Sequence, residues 1–134
     1  VAFEYGVLGR SGGRSALAAL EQLLDFIEAE DTDVSRGEIT PGDGWAATDV
    51  RIRRPGEQEL EQYVQVSVGG EIPQLYVELA TATSSEIDVT GVDLMLNTTL
   101  SKVTDPVVND LIQAYALPEW NGILWDETSG FHLP

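Results

Sequence analysis

Residues 60–96 read LEQYVQVSVGGEIPQLYVELATATSSEIDVTGVDLML, and how this stretch is divided decides the fold. Three runs within it alternate apolar and polar side chains with the period of a strand. In 60–68, Val64, Val66 and Val68 fall on one side, and Tyr63, Gln65 and Ser67 on the other. In 73–81, Leu75, Val77 and Leu79 oppose Gln74, Tyr76 and Glu78. In 85–96, Ile87 and Val89 alternate with Glu86 and Asp88. After Gly91 the phase shifts to Val92, Leu94 and Leu96, as a bulge at the glycine would produce. Gly69-Gly70 offers the positive φ values of a tight hairpin. The stretch therefore predicts three successive strands with one buried and one wet face.

Upstream, residues 45–54, WAATDVRIRR, add a fourth strand, with Thr48, Val50 and Ile52 opposite Asp49, Arg51 and Arg53. Pro55-Gly56 suits the centre of a type II turn between strands. Residues 31–44, rich in Asp, Gly and Pro, predict a loop. Residues 15–30 predict a helix, with Leu17, Leu20, Leu24 and Ile27 at helical spacing and Ser15 as its cap. The acids at its C-terminal end, Glu28, Glu30 and Asp31, oppose the helix dipole. Before it, residues 2–8 predict a short strand, and Gly12-Gly13 a turn. Downstream, Asp105 as cap and Pro106 at the first position open a second helix over 106–117, stopped by Pro118. Residues 118–134 are an aromatic tail holding Trp120, Trp125 and Phe131 around an Asn121-Gly122 turn. The expected fold is a single α+β domain over 1–134: two layers, a four-stranded antiparallel meander covered by two helices.

Charge is the strongest compositional signal. The 134 residues carry 23 acids and 7 bases, a net of −16, with Lys102 the only lysine and no cysteine. The acids are spread along the chain among apolar residues that make up 43% of it, so a folded, acid-coated domain is predicted rather than a disordered tail. Self-repulsion of this size destabilises a compact state in dilute buffer. At ~1 M salt the screening length falls to about 3 Å and most of the penalty disappears. Scarce lysine with dispersed Asp and Glu resembles the proteins of haloarchaea. The resemblance implies a high-salt cytoplasm, or a virus growing in one. Direct nucleic-acid binding is disfavoured, because affinity for phosphates comes from basic residues. No apolar run approaches the ~18 residues of a membrane helix, so no membrane partner is expected. No leader of basic then apolar residues opens the chain, although a removed one would leave no trace.

The motif search is mostly negative. The Gly13-Arg14-Ser15 triplet sits where a phosphate loop would have G-K-S, but Leu8 stands where its first glycine belongs. Arginine also does not replace that loop's lysine. A weaker reading survives: an anion at the helix start beside Arg14 and Ser15. Asp31, Asp33 and Ser35 have the spacing that opens a calcium loop, yet Arg36 and Gly42 occupy the positions that need Gly and Glu. His132 is the only histidine, next to the end, and reads as a solvated residue rather than a base. With one histidine and no cysteine, a transition-metal site is not expected. No catalytic residue, metal site or cofactor is predicted.

What remains points to protein contacts. Arg51, Arg53, Tyr63, Tyr76 and Glu78 are predicted to share the wet face of the sheet, and Arg and Tyr anchor protein interfaces. Trp120, Trp125 and Phe131 either close the core or dock on another subunit. The expected function is non-catalytic interaction or assembly, as a homo-oligomer, in a salt-rich cell or a virion. Length and element order also resemble the tail-terminator proteins of long-tailed viruses, which implies ring assembly. The short tail after the last helix departs from that family's closing strands. Two rivals stand beside this reading. One is a ligand-binding protein or enzyme using carboxylates in a helix–sheet pocket. The other is an acidic immunity or chaperone protein holding a basic client.

Overall fold

A computed structural model describes residues 3–100 and 105–132. In chain order the elements are β1 (Phe3–Gly9), α1 (Ala16–Glu30), β2 (Val34–Arg36), β3 (Thr40–Pro41), β4 (Trp45–Ile52), β5 (Leu60–Val68), α2 (Glu71–Thr83), β6 (Leu94–Leu100), α3 (Pro106–Glu119), β7 (Ile123–Asp126) and β8 (Gly130–Phe131). The α+β class holds. The four-stranded meander does not: the described strands form one eight-stranded antiparallel sheet, ordered β2-β4-β5-β6-β1-β7-β8, with β3 also pairing β4. Nor is the fold two-layered, because helices lie on both faces of the sheet.

The largest correction falls on 73–81. This run satisfies strand alternation, but it also carries a helical stripe, Pro73, Tyr76, Val77 and Ala80. The helical stripe is the one the fold buries, with Pro73 and Ala80 buried outright. Pro73 falls in the first turn of α2, where a missing N–H costs nothing. Gly69 and Gly70 do take positive φ, 68° and 74°, but they turn a strand into a helix rather than closing a hairpin. Residues 85–93 are not a strand either. Ser84 Oγ accepts from the Glu86 amide at 3.1 Å and Asp88 Oδ1 from the Thr90 amide at 3.0 Å. Such local bonds compete with a sheet ladder. Gly91 has φ 73° in a turn, and no strand surrounds it to be bulged. Pairing resumes at Leu94. Leu94, Met95 and Leu96 are all fully buried because β6 is covered on both faces.

β1 was predicted as a short first strand and lies centrally, between β6 and β7. Gly6 makes that possible: a Cβ there would collide with the Leu96 carbonyl and the Met95 methyl of β6. One face of the sheet is covered by α1 and α3. Leu20, Leu23, Leu24 and Ile27 of α1 are at most 1% exposed, each worth roughly 2 kcal/mol of burial. They pack with Val50, Val64, Val66 and Leu96 from the strands, Ile112 of α3 and Trp120 at its C-cap. Ser15 caps α1 by accepting from the Ala18 amide, and Asp105 caps α3 by accepting from Val107 and Val108. Pro118 lies inside the last turn of α3 rather than ending it. The other face carries α2, whose Tyr76, Val77 and Ala80 pack with Leu8, Met95, Ile87 and Phe131.

Arg54 ties the α1–α3 layer to the sheet. It follows β4 and donates Nε and Nη2 to Asp105 at 3.0 Å each, and Nη1 to Asp31 at 2.6 Å and to Asp33 at 3.2 Å. One guanidinium thus joins the end of α1, the start of α3 and the approach to β2. Its hydrogen bonds hold Asp31 and Asp105 below the usual aspartate range. Arg36 does the same for Glu28, with Nη2 at 2.7 Å from Oε1 and 2.6 Å from Asp25. These two arginines answer the charge at the C-terminal end of α1, which has no base in its own last turn.

Candidate interaction face

Side chains alternate along a strand, so each strand offers one set to α1 and α3 and the other set to the opposite face. On β4 and β5 the second set is Ala47, Asp49 and Arg51, paired across the strands with Gln65, Tyr63 and Glu61. α2 packs over β1, β6 and β5, and Asp49, Arg51, Glu61 and Tyr63 stay exposed beside it. The result is a ridge beside a shelf. Two shallow cavities meet at Tyr63. One, of about 310 Å³, runs between ridge and shelf and is lined by Glu4, Tyr63, Ile72, Leu75, Tyr76 and Asn97, among others. The second, of about 180 Å³, lies over β4 against Thr40, Trp45, Ala47 and Asp49.

The flank of α2 turned to the shelf is apolar. Ile72, Leu75 and Leu79 recur at helical spacing and are 38%, 53% and 44% exposed. Tyr63 beside them is 41% exposed. Its hydroxyl donates to Gln65 Oε1 at 2.7 Å, and partial burial, then the charge of Asp49, pushes its ionisation up. At the inner end of the groove, Glu4 Oε1 accepts from the Tyr76 hydroxyl at 3.3 Å and from Asn97 Nδ2 at 3.2 Å. Burial, with the charge of Glu4 added, raises Tyr76 as well.

Of the residues predicted to share a wet sheet face, the structure keeps Arg51 and Tyr63 there. Tyr76 and Glu78 are corrected: both belong to α2. Tyr76 is half-buried under the ridge, edge-on to Trp125 with ring centroids 5.1 Å apart, and Glu78 is exposed on the helix. Arg53 lies just past the end of β4, exposed and hydrogen-bonded to Glu59. Of the tail aromatics, Trp120 is 1% exposed and caps α3 inside the core, with its Nε1 unpartnered. Phe131 is buried in β8, and Trp125 is half-buried in β7. Trp120 and Phe131 thus close the core, the first of the two alternatives. At the helix start, Ser15 Oγ is taken by the Ala18 amide, and Arg14 turns away to Glu119 at 2.8 Å. His132 is not merely solvated: its Nε2 lies 2.6 Å from Asp126 Oδ2. Burial opposes ionisation of Asp126, but His132 and the Ser129 and Thr128 amides hold it low. Lys102 lies outside the described residues.

Glu4, Asn97 and Ile72 were not singled out in the sequence, and Leu75 was read only as part of the buried side of a strand. The signal for the last two was present, as apolar residues left over once the helical stripe of 73–80 is assigned inward. No signal marked Glu4, which joins Tyr76 across 72 residues of chain. No protein-family model, curated protein or solved structure matches this chain. The chemistry of the face itself therefore carries the functional reading.

Proposed function

We propose that this chain is a non-catalytic assembly protein, built for strong salt, that docks through the ridge and shelf of its second sheet face. One observation carries the reading. Six large hydrophobic residues are exposed among the described residues, and three of them, Tyr63, Ile72 and Leu75, border one groove. Leu79 follows on the same helix, and Leu17 and Val107 sit on α1 and α3. Single exposed apolar residues are ordinary, whereas a contiguous patch rimmed by polar groups marks a contact surface. The acid coat sets the solvent, the brine of a salt-rich cell or of a virion formed there. Such salt screens distant charges and leaves apolar contact as the main attraction. Sedimentation velocity in 2 M potassium chloride tests the reading. An oligomer that dissociates in both Tyr63→Ser and Leu75→Ser supports it. A monomer at high concentration, or an oligomer indifferent to both changes, refutes it.

A second reading, a small-ligand site, draws on the Glu4–Tyr76–Asn97 group at the inner end of the groove. An amine-bearing ligand that raises the Tm of the native chain but not of Glu4→Gln would favour it over assembly.

A further inference from the structure

We infer that the polar floor of the groove binds a neutral pyranose sugar, held by Glu4, Asn97 and Gln65 against the apolar wall of Ile72 and Leu75. This goes beyond the assembly reading, which draws on the wall and leaves the floor without a role.

The sheet register builds the floor. Tyr63 and Glu4 both pair with Thr99, and Gln65 and Gly6 both pair with Asn97. Two neighbouring rows across β5, β6 and β1 therefore bring the polar side chains together on the α2 side, on strands rather than on loops. The groups are also fixed by one another. Glu4 Oε1 takes both Tyr76 and Asn97, Asn97 Nδ2 also donates to the Tyr76 hydroxyl at 3.2 Å, and Gln65 Oε1 takes Tyr63. Among the described residues, Glu4 Oε2 and Asn97 Oδ1 accept no hydrogen bond, and Gln65 Nε2 has only a long contact to Ser67, at 3.4 Å. Two acceptors and a donor are thus left beside one another. Vicinal hydroxyls, which both donate and accept, match such a set.

The lining narrows the ligand further. At about 310 Å³ the groove is at the low end of small-molecule sites, roughly 300–1,000 Å³. No base lines it or the cavity over β4 beside it, so an anion has no counter-charge there. A cation would rely on one carboxylate that already takes two donors, in a solvent whose salt screens the attraction. A hydrocarbon would satisfy the wall and leave the floor's polar groups unpaired. A pyranose ring suits both sides, with hydroxyls on its edge and C–H groups on its face. Tyr63, 41% exposed, offers that face an aromatic surface with a polar tip. Neither contact depends on charge, so the site operates in the brine that the acid coat calls for.

The test is heteronuclear NMR of the native chain in 2 M potassium chloride, kept dilute so that assembly does not cover the groove. Methyl glucoside, methyl galactoside and methyl mannoside are titrated in turn. At least one should shift the Gln65 and Asn97 side-chain amides, with an affinity that holds within twofold between 0.5 and 2 M salt. Glu4→Gln keeps the acceptor for Tyr76 but turns Oε2 into a donor, and should weaken that sugar at least tenfold. Gln65→Leu should do the same, and serves if Glu4→Gln lowers the Tm. No shift of these amides with any glycoside at millimolar concentration overturns the inference. So does an affinity that collapses as salt rises, or ethanolamine shifting the amides where the glycosides do not. Glu4→Gln should leave the oligomer of the assembly reading intact, so sugar binding and assembly fail separately.

Discussion

Replacing Arg54 by methionine removes one cation from three carboxylates and should unfold this chain more readily than any surface change. The Asp31 and Asp105 side chains are 9% and 10% exposed, and Arg54 is 19% exposed. Stripping one partner from a buried ion pair costs roughly 3–5 kcal/mol, because the other charge stays buried. Asp33 is 37% exposed and relaxes into water, and Asp105 keeps its bonds to the Val107 and Val108 amides. The low end, about 3 kcal/mol, is therefore expected at pH 7. For a chain of this length that is a Tm lower by about 10 °C. The pH dependence gives a second signature. In the native chain, Asp31 and Asp105 titrate below the ordinary aspartate value of 3.8. Their contribution is present above 3.8 and lost as pH falls through the lower folded values. In Arg54→Met the cation that lowers both carboxyls is gone, so their folded values rise toward the ordinary aspartate value. The variant therefore loses less than the native chain as the pH falls below 4, and the gap narrows. Circular dichroism melts from pH 3 to 8 in 2 M potassium chloride measure both effects. A loss at pH 7 under about 1 kcal/mol, the scale of an exposed pair, refutes the reasoning. A gap that stays constant on acidification refutes it too.

Three further outcomes follow from the same packing. Gly6→Ala should cost about 2–3 kcal/mol in urea unfolding, since its methyl meets the Leu96 carbonyl of a neighbouring strand. Asn109→Ala should cost about 3 kcal/mol, because Asn109 Oδ1 accepts from Tyr5 Oη at 3.0 Å and Gln62 Nε2 at 2.8 Å, and both donors are buried. Raising potassium chloride from 0.1 to 2 M should lift the Tm steadily. A flat response would show that the net charge of −16 is no burden in dilute buffer.

The elements legible in the sequence were those whose signals are local. α1 follows from its apolar spacing and the Ser15 cap, α3 from Asp105-Pro106, and the β4–β5 pair from alternation around Pro55-Gly56. α2 was not legible because nine residues satisfied both periods. The choice between them is made by what lies beneath, the surface of Leu8 and Met95, a fact of tertiary packing. The strands of the tail were missed for the same reason. β7 has four residues and no alternation of its own, and exists by pairing with β1. The Arg54 cluster joins positions 31, 54 and 105, which no spacing rule connects. Within the candidate face, Tyr63 and Arg51 were placed correctly because strand alternation fixes their side of the sheet. The apolar wall opposite them was assigned inward, because 73–81 was read as a strand.

The most direct test of a docking face is to see it close. Hydroxyl-radical labelling of the native chain in 2 M potassium chloride, followed by mass spectrometry, can be run across a concentration series. Tyr63, Ile72 and Leu75 should lose reactivity as concentration rises, while Leu17 and Val107, comparably exposed on α1 and α3, keep theirs. Protection of Leu17 or Val107, with Tyr63 and Leu75 still reactive, would place the contact elsewhere and contradict the account.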